Sequence, residues 1–419
     1  MHDFAYKNNE FYCENVRIRD IAEKVGTPFY LYSYKTLTDH YLKLQRAFES
    51  VKPLICFAMK SNSSLAVLKS LIQKGAGVDI VSEGELFLAR KAGCPPNRIV
   101  YAGVGKTDRE IEVAIRAKIL LFNVESEPEL ATIQKIAKKI GKTVNVSLRV
   151  NPGVDPHTHD YIATGKTDSK FGVDLETARR IFVQASRYSN LSLDGIHSHI
   201  GSQITEGDPF VKALRKLLIF IANLEEAGCK IEYLNLGGGL GIIYSNERPQ
   251  TADEFAKKIL PLFPKKKYKL IFEPGRFIVG NAGVFVTKVL YIKHAKTKNF
   301  AIIDGGMNDL IRPALYEAYH EVCPLEKKSK VKSVTYDVVG PVCESGDFLA
   351  TNRKIQELQS NDLLAFLGAG AYGFTMSSQY NARPRVAEVM VKGSRFEIIR
   401  KRETFADLFR GSRIPSFLK

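Results

Sequence analysis

The stretch Pro53-Leu54-Ile55-Cys56-Phe57-Ala58-Met59-Lys60-Ser61-Asn62 runs an apolar segment directly into a lysine. An apolar run of this length, bounded by turn residues, predicts a strand. Lys60 then leaves the end of that strand, where an α/β fold places its chemistry. An amine held there can form a Schiff base with a carbonyl cofactor, and its pKa falls readily on desolvation. A lysine beside a strand is also commonly no more than a solvated strand end, so its meaning depends on the rest of the chain.

Reading outward, apolar runs between turn residues predict eight strands: 53–58, 77–81, 98–102, 119–123, 144–150, 191–197, 231–236 and 268–273. Stretches of helical character lie between them at 64–74, 84–93, 107–117, 126–140, 174–187, 208–227 and 252–260. Ser82 with Glu85, and Ser126 with Glu129, have capping-box spacing. Asp108 or Thr107, and Asp208 followed by Pro209, supply further start signals. Such alternation implies a closed (β/α)8 barrel or a large open sheet. The strand count favours the barrel, and so do the residues at the strand ends. Lys60, Asp79, Arg149-Val150-Asn151, His197-Ser198-His199, Gly237-Gly238-Gly239 and Glu273-Pro274-Gly275-Arg276 all fall there, and a barrel gathers such ends at one mouth.

After about residue 277 the texture changes. Val-, Ile- and Phe-rich segments at 283–293, 298–303, 332–339, 361–367 and 384–392 predict a mainly β domain, which strands near 11–18 and 28–32 could join. The expected organisation is a barrel over 35–277, with 1–34 and 278–419 forming the β domain.

Composition narrows the class. The chain has 419 residues, 45% hydrophobic and 25% charged, as in ordinary soluble globular proteins. No run approaches the roughly 18 apolar residues of a membrane span, and the first residues do not read as a signal peptide, which points to a cytoplasmic protein. Six scattered cysteines without a C-x-x-C pair exclude a zinc cluster and leave the thiols reduced. A net charge of +16 raises the question of nucleic acid, but the basic residues are dispersed, and even Lys265-Lys266-Lys267 is short. A generally basic surface accounts for it, and neither nucleic acid nor membrane is expected as a partner.

The strand-end residues suggest chemistry. Glycines 237–239 can let backbone amides close on a phosphate, and Gly275-Arg276 fits the other half of such a cup; a glycine triplet is also a common turn. Glu273, at a buried strand end, needs a partner. Either the adjacent Arg276 or the ring nitrogen of pyridoxal phosphate would serve. His199 could be a metal ligand, an acid or base, or a flat surface for ring stacking. No third ligand cluster supports a metal, and His197 reads as a satisfied core histidine. In the β domain, Cys343-Glu344-Ser345-Gly346-Asp347 offers a thiol beside two acids. Arg312-Pro313-Ala314-Leu315-Tyr316 offers a fork for a carboxylate, and Gly370-Ala371-Tyr372-Gly373 a hydroxyl.

Together these residues resemble the diaminopimelate decarboxylases, within the alanine-racemase-like fold of pyridoxal-phosphate enzymes shared with ornithine and arginine decarboxylases. The match runs from Thr27-Pro28-Phe29-Tyr30-Leu31-Tyr32-Ser33 to Arg400-Lys401-Arg402-Glu403-Thr404, through His157-Thr158-His159 and Ser169-Lys170-Phe171-Gly172. Phe57 and Ser61 stand where Tyr and Ala are frequent, and neither removes a reactive group. The resemblance implies that Lys60 is the Schiff-base lysine, His199 the imidazole stacked on the cofactor and Glu273 the pyridinium partner. It implies a phosphate site of Gly237, Gly238, Gly239, Gly275, Arg276 and Tyr372. Substrate contacts are implied for Arg276, Arg312, Tyr316, Glu344 and Tyr372, and proton donation for Cys343. Because that cysteine serves the other subunit's barrel in the family, a homodimer with shared active sites is also implied.

The implied reaction is decarboxylation of meso-2,6-diaminopimelate to L-lysine and carbon dioxide, the last step of lysine biosynthesis. The alternative is a related decarboxylase acting on ornithine, arginine or carboxynorspermidine. Those substrates lack a distal carboxylate, so an arginine facing their cationic end would repel them, and Arg312 with Cys343-Glu344 favours diaminopimelate. A cofactor-binding regulator without catalysis would be expected to lack Lys60 or Cys343, and both are present.

Overall fold

Eight short segments, four of them buried along their whole length, pair in parallel and close on themselves. In chain order they are Leu54–Ala58, Gly77–Ile80, Ile99–Tyr101, Leu121–Val124, Val144–Arg149, Leu191–His197, Tyr233–Asn235 and Lys269–Phe272. The computed structural model describes residues 2–155, 170–264 and 267–418, so His157-Thr158-His159, Ser169, Lys265 and Lys266 lie outside it. Chain contacts divide the described protein into two units, one of Thr38–Ile242 with Glu247–Ile278, the other of Met1–Leu37, Ile243–Asn246 and Val279–Lys419.

The first unit is the expected (β/α)8 barrel. Closure is made where the eighth strand meets the first, at Ile271 with Leu54 and Phe272 with Ile55. Phe272, at the end of the eighth strand, packs with Phe48 and Phe255, the three ring centroids 4.8 to 5.8 Å apart. Fully burying each such ring stabilises the fold by about 1.5–3 kcal/mol. Three of the helices start at caps that the sequence predicts. Ser82 and Ser126 accept from the amides of Glu85 and Glu129, and Thr107, rather than Asp108, makes a reciprocal capping box with Glu110. Asp208 is not a cap: Gly207 holds that position, and Asp208, inside the helix Asp208–Glu226, pairs with Lys258 at 2.6 Å.

The second unit is built on a nine-stranded sheet. Its central strand Phe29–Ser33 is buried at every residue, between Gly283–His294 (antiparallel) and Ala387–Lys392 (parallel). The alternation of a strand sends Tyr30 and Tyr32 into one hydrophobic cluster, with Phe285 and Tyr336. Phe29 and Leu31 enter another, with Phe4, Phe11, Ile18 and Ile21. The segment 11–18 joins this unit as expected, as two short strands where one was predicted. The N-terminal residues do not extend the large sheet; they form a three-stranded sheet of their own, Phe4–Lys7, Glu10–Cys13 and Val16–Arg17, followed by the helix Ile18–Val25. Left-handed Asn8, Asn9 and Glu14 turn the chain between those strands, and the small sheet and helix cover the second apolar face. Strands Phe348–Gln356 and Arg395–Arg400 and the helix Tyr34–Ala47 are further elements that the apolar-run reading passes over.

Gly77 illustrates how tightly the barrel wall is packed. A Cβ there would lie 2.4 Å from the Arg98 carbonyl oxygen and 2.9 Å from Cys56 Sγ. Gly77→Ala is therefore expected to destabilise the barrel by about 1–3 kcal/mol, read as a lowered urea midpoint of the fluorescence transition. An unchanged midpoint would show that the wall relaxes freely at this point.

Candidate active site

Lys60 occupies the one-turn 3₁₀ helix Met59–Ser61, immediately after the first barrel strand. That turn is fastened to the loop after the eighth strand. Ala58 N–H donates to the Pro274 carbonyl at 3.1 Å, and Ser61 Oγ donates to the Ala58 carbonyl at 2.7 Å. Gly275 is required beside it, since a Cβ there would come within 2.9 Å of Ser61 Oγ. The Lys60 ammonium lies 3.0 Å from Asp79 Oδ2, at the end of the second strand. Asp79 is wholly buried, and its Oδ1 has no hydrogen-bond partner among the described residues. Burial pushes its carboxyl up to about 6, against the pull of Lys60.

Glu273, 5% exposed, follows the eighth strand. Its Oε1 accepts from two amides, Asn123 Nδ2 at 2.7 Å and Asn235 Nδ2 at 2.5 Å. Its Oε2 lies 3.2 Å from His197 Nε2. Burial alone would raise this carboxyl, but His197, Lys60 and Asn235 together hold it well below the usual range. Glu273 is thus a buried carboxylate kept ionised at the barrel mouth. His197 is buried, as expected, but it is not a satisfied core residue: neither ring nitrogen makes a well-aligned hydrogen bond among the described residues, and the ring faces Glu273.

His199 lies two residues further on, just past the sixth strand. Its Nδ1 accepts from Gly238 N–H at 3.1 Å, which leaves any ring proton of the neutral form on Nε2. Burial, with Arg149, Lys60 and His197 nearby, holds its pKa well below the usual value, so the ring is neutral at physiological pH. The loop carrying it is laced to the glycine loop: Ile204 N–H donates to Gly239 O at 2.8 Å, and Gln203 bonds both backbone groups of Ile242. A Cβ at Gly238 would stand 2.2 Å from the Glu273 carbonyl, so the backbones meet there without room for a side chain.

The glycine cup differs in one respect from the expectation. The amides of Gly237 and Gly238 are already engaged, by Asn235 Oδ1 at 2.9 Å and by His199. Among the described residues, those of Gly239 and Leu240 have no hydrogen-bond acceptor, so they are better placed to meet a phosphate. Arg276 is nearly buried and donates to Ser202 Oγ at 3.3 Å.

The remaining predicted residues belong to the other unit. Buried Arg312 opens the short helix Arg312–Tyr316, with its guanidinium 4.8 Å above the Tyr244 ring. Tyr316 closes that helix, partly exposed. Cys343 and Glu344 are exposed on a loop pinned from beneath by Asp347, whose carboxylate accepts from Met307 N–H and Val342 N–H, both at 2.6 Å. Asp347 is therefore the loop's anchor, and Glu344, which accepts from Tyr380 Oη at 3.3 Å, is the acid displayed beside the thiol. Tyr372 holds a left-handed backbone (φ 57°), uncommon for a bulky residue and a frequent mark of functional sites.

Residue patterns alone did not identify Asn123, Asn235, the buried Glu125–Arg149 pair at 2.9 Å, or His320 as parts of these sites. For the asparagines a signal existed: each is the lone polar residue in a buried strand, Leu121-Phe122-Asn123-Val124 and Tyr233-Leu234-Asn235.

Residues 34–280, the stretch that carries this amine, carboxylate and glycine loop, match a family model described as the pyridoxal-binding domain of pyridoxal-dependent decarboxylases. The chain is 48% identical over 401 residues to diaminopimelate decarboxylase of Aquifex aeolicus, covering 96% of this chain and 95% of that one. To diaminopimelate decarboxylase of Vibrio cholerae it is 47% identical over 411 residues, 98% of each. A crystal structure of diaminopimelate decarboxylase from M. jannaschii in co-complex with L-lysine superposes with a TM-score of 0.95 at 37% identity, covering all of both chains. The chain belongs to the diaminopimelate decarboxylase family.

The residues present fit pyridoxal phosphate: Glu273 remains charged for a ring cation, Lys60 supplies an amine, and among the described residues the amides of Gly239 and Leu240 have no acceptor of their own. Because Glu273 has a depressed folded-state pKa, its ionisation adds stability above the unfolded value of about 4.3, and that stability is lost as pH falls through the lower folded value. The stability gap between the wild type and Glu273→Gln should therefore hold steady from pH 7 to about 5 and narrow in stronger acid. Urea midpoints of both proteins across that range test it; a gap that widens in acid would contradict the assignment.

Proposed function

We propose that this chain decarboxylates meso-2,6-diaminopimelate to L-lysine and carbon dioxide, with pyridoxal phosphate held by Lys60. The observation that carries the chemistry is the buried Glu273 carboxylate, kept ionised by two amides and a histidine. Bound pyridoxal phosphate supplies the electron sink for the pair released as the carboxylate leaves, and a carboxylate against its ring nitrogen deepens that sink.

The chain's own residues do the rest. Lys60 tethers the cofactor through Nζ, and Asp79, with its carboxyl near 6, can take or return the proton of that amine. His199, held neutral and fixed by Gly238, offers a flat face to the ring. Gly237, Gly238, Gly239, Gly275, Arg276 and Tyr372 are assigned to the phosphate, with the amide of Gly239 nearest the task. Arg312, Tyr316 and Glu344, with Arg276 and Tyr372, are assigned to the substrate. A buried guanidinium favours a partner with a distal carboxylate, which ornithine and arginine lack. Cys343 donates the proton that replaces the departing carboxyl group. Its exposed loop suits service in a second subunit, so a homodimer with shared sites forms part of the proposal. Among the described residues no helix is long and apolar enough to cross a membrane, and we place the enzyme in the cytoplasm as the closing step of lysine biosynthesis.

Release of lysine and carbon dioxide from meso-diaminopimelate, with added cofactor, tests the function directly. Brisk turnover of ornithine or arginine with none of diaminopimelate would sink it. Lys60→Ala should lower kcat at least about a thousandfold, as for loss of a covalent catalyst. Mixing inactive Lys60→Ala and Cys343→Ala proteins should restore activity through one intact shared site. Failure to recover, with subunit exchange verified by mass, would count against sharing.

A further inference from the structure

A guanidinium is seldom buried unless its surroundings fix it. Arg312 has such surroundings in His320, a residue with no exposed surface. Arg312 Nη1 lies 3.0 Å from His320 Nε2, and His320 Nδ1 lies 2.8 Å from the Leu367 carbonyl oxygen. A carbonyl can only accept and a guanidinium can only donate, so the two contacts define the ring. Nδ1 carries the proton and Nε2 presents its lone pair to Arg312; the imidazole is neutral. Its anchor is itself fixed, since Leu367 N–H donates to the Glu321 carbonyl at 2.9 Å. The Tyr244 ring stands edge-on to the imidazole, with centroids 5.5 Å apart at 83°, and also lies under the guanidinium at 4.8 Å.

We propose that His320 is a positioning residue for substrate specificity: through its Nε2 lone pair it sets the direction of the Arg312 fork for the distal carboxylate of a dicarboxylic amino acid. The inference rests on the assignment of Arg312 to that carboxylate. A bidentate fork is worth most when its plane is set before the ligand arrives, and His320 supplies that restraint in the substrate-free protein.

Two conservative variants separate this role from plain packing. In His320→Gln the side-chain carbonyl can reach the Nε2 position and still accept from Arg312. In His320→Asn the amide can only replace the Nδ1 donor to Leu367. His320→Asn is expected to raise KM for meso-diaminopimelate about tenfold, the scale of one buried charge-assisted contact, with kcat changed less than about twofold. His320→Gln should recover most of that loss. In an Arg312→Lys background, His320→Asn should add less than about twofold to KM, because it acts through the arginine. Thermal midpoints and cofactor absorbance titrations of every variant establish that the proteins are folded and loaded. Equal KM for the two variants, an effect confined to kcat or to the melting temperature, or full additivity with Arg312→Lys would overturn the proposal. If Arg312→Lys alone leaves KM unchanged, the assignment of Arg312 fails; if it raises KM while His320→Asn does not, only the role of His320 fails.

Discussion

A carboxylate held ionised inside the barrel mouth is the constraint on which the rest of the site turns. Desolvating Glu273 works against its charge, and an unpaired buried carboxylate would simply take up a proton. The fold meets this cost from three directions. Asn123 and Asn235, at the ends of the fourth and seventh strands, direct amide hydrogens at one oxygen, and His197 from the sixth strand approaches the other. Each donor is placed by the parallel register of the barrel, so the charge of Glu273 is a property of the closed sheet.

The same arrangement separates two carboxylates that lie in one neighbourhood. Asp79 has one ammonium partner and an oxygen that no described residue meets, and its carboxyl rises to about 6. Glu273 has two amides and a histidine, and its carboxyl falls. Environment thus assigns one group to exchange protons near neutrality and the other to remain charged. Lys60, within reach of Asp79, sits where that division matters.

Much of this architecture was legible before the structure. All eight barrel strands were marked by apolar runs, because a strand buried on both faces leaves a continuous hydrophobic signature. Lys60, His199, Glu273 and the glycines were visible as unusual residues at strand ends. Arg395–Arg400 was missed because an edge strand carries charge and lacks that signature, and Phe348–Gln356 because its exposed polar residues, with Asn352 in left-handed backbone, interrupt the apolar pattern. The N-terminal strands were visible in part and placed in the right domain, but the pattern of 11–18 does not say whether its apolar face pairs edgewise or stacks, so their separate sheet was not legible. Partners such as Asn123 and His320 stayed hidden for a different reason. Each acts on a residue distant in sequence or around a turn, and which polar groups meet depends on register and tautomer, which composition does not encode.

Strand closure has a further consequence for how the protein comes to exist. Lys60 follows the first barrel strand and Glu273 the last, and the two strands meet only at Ile271–Leu54 and Phe272–Ile55. A chain emerging from the ribosome carries its lysine long before its carboxylate, and no partial barrel joins them. Pairing between such remote segments is the slow event in folding a closed parallel sheet. A ligand that needs both ends binds only the finished ring, and by mass action draws the population toward it. A cofactor that engages Lys60 and Glu273 together would thereby report that the barrel has closed.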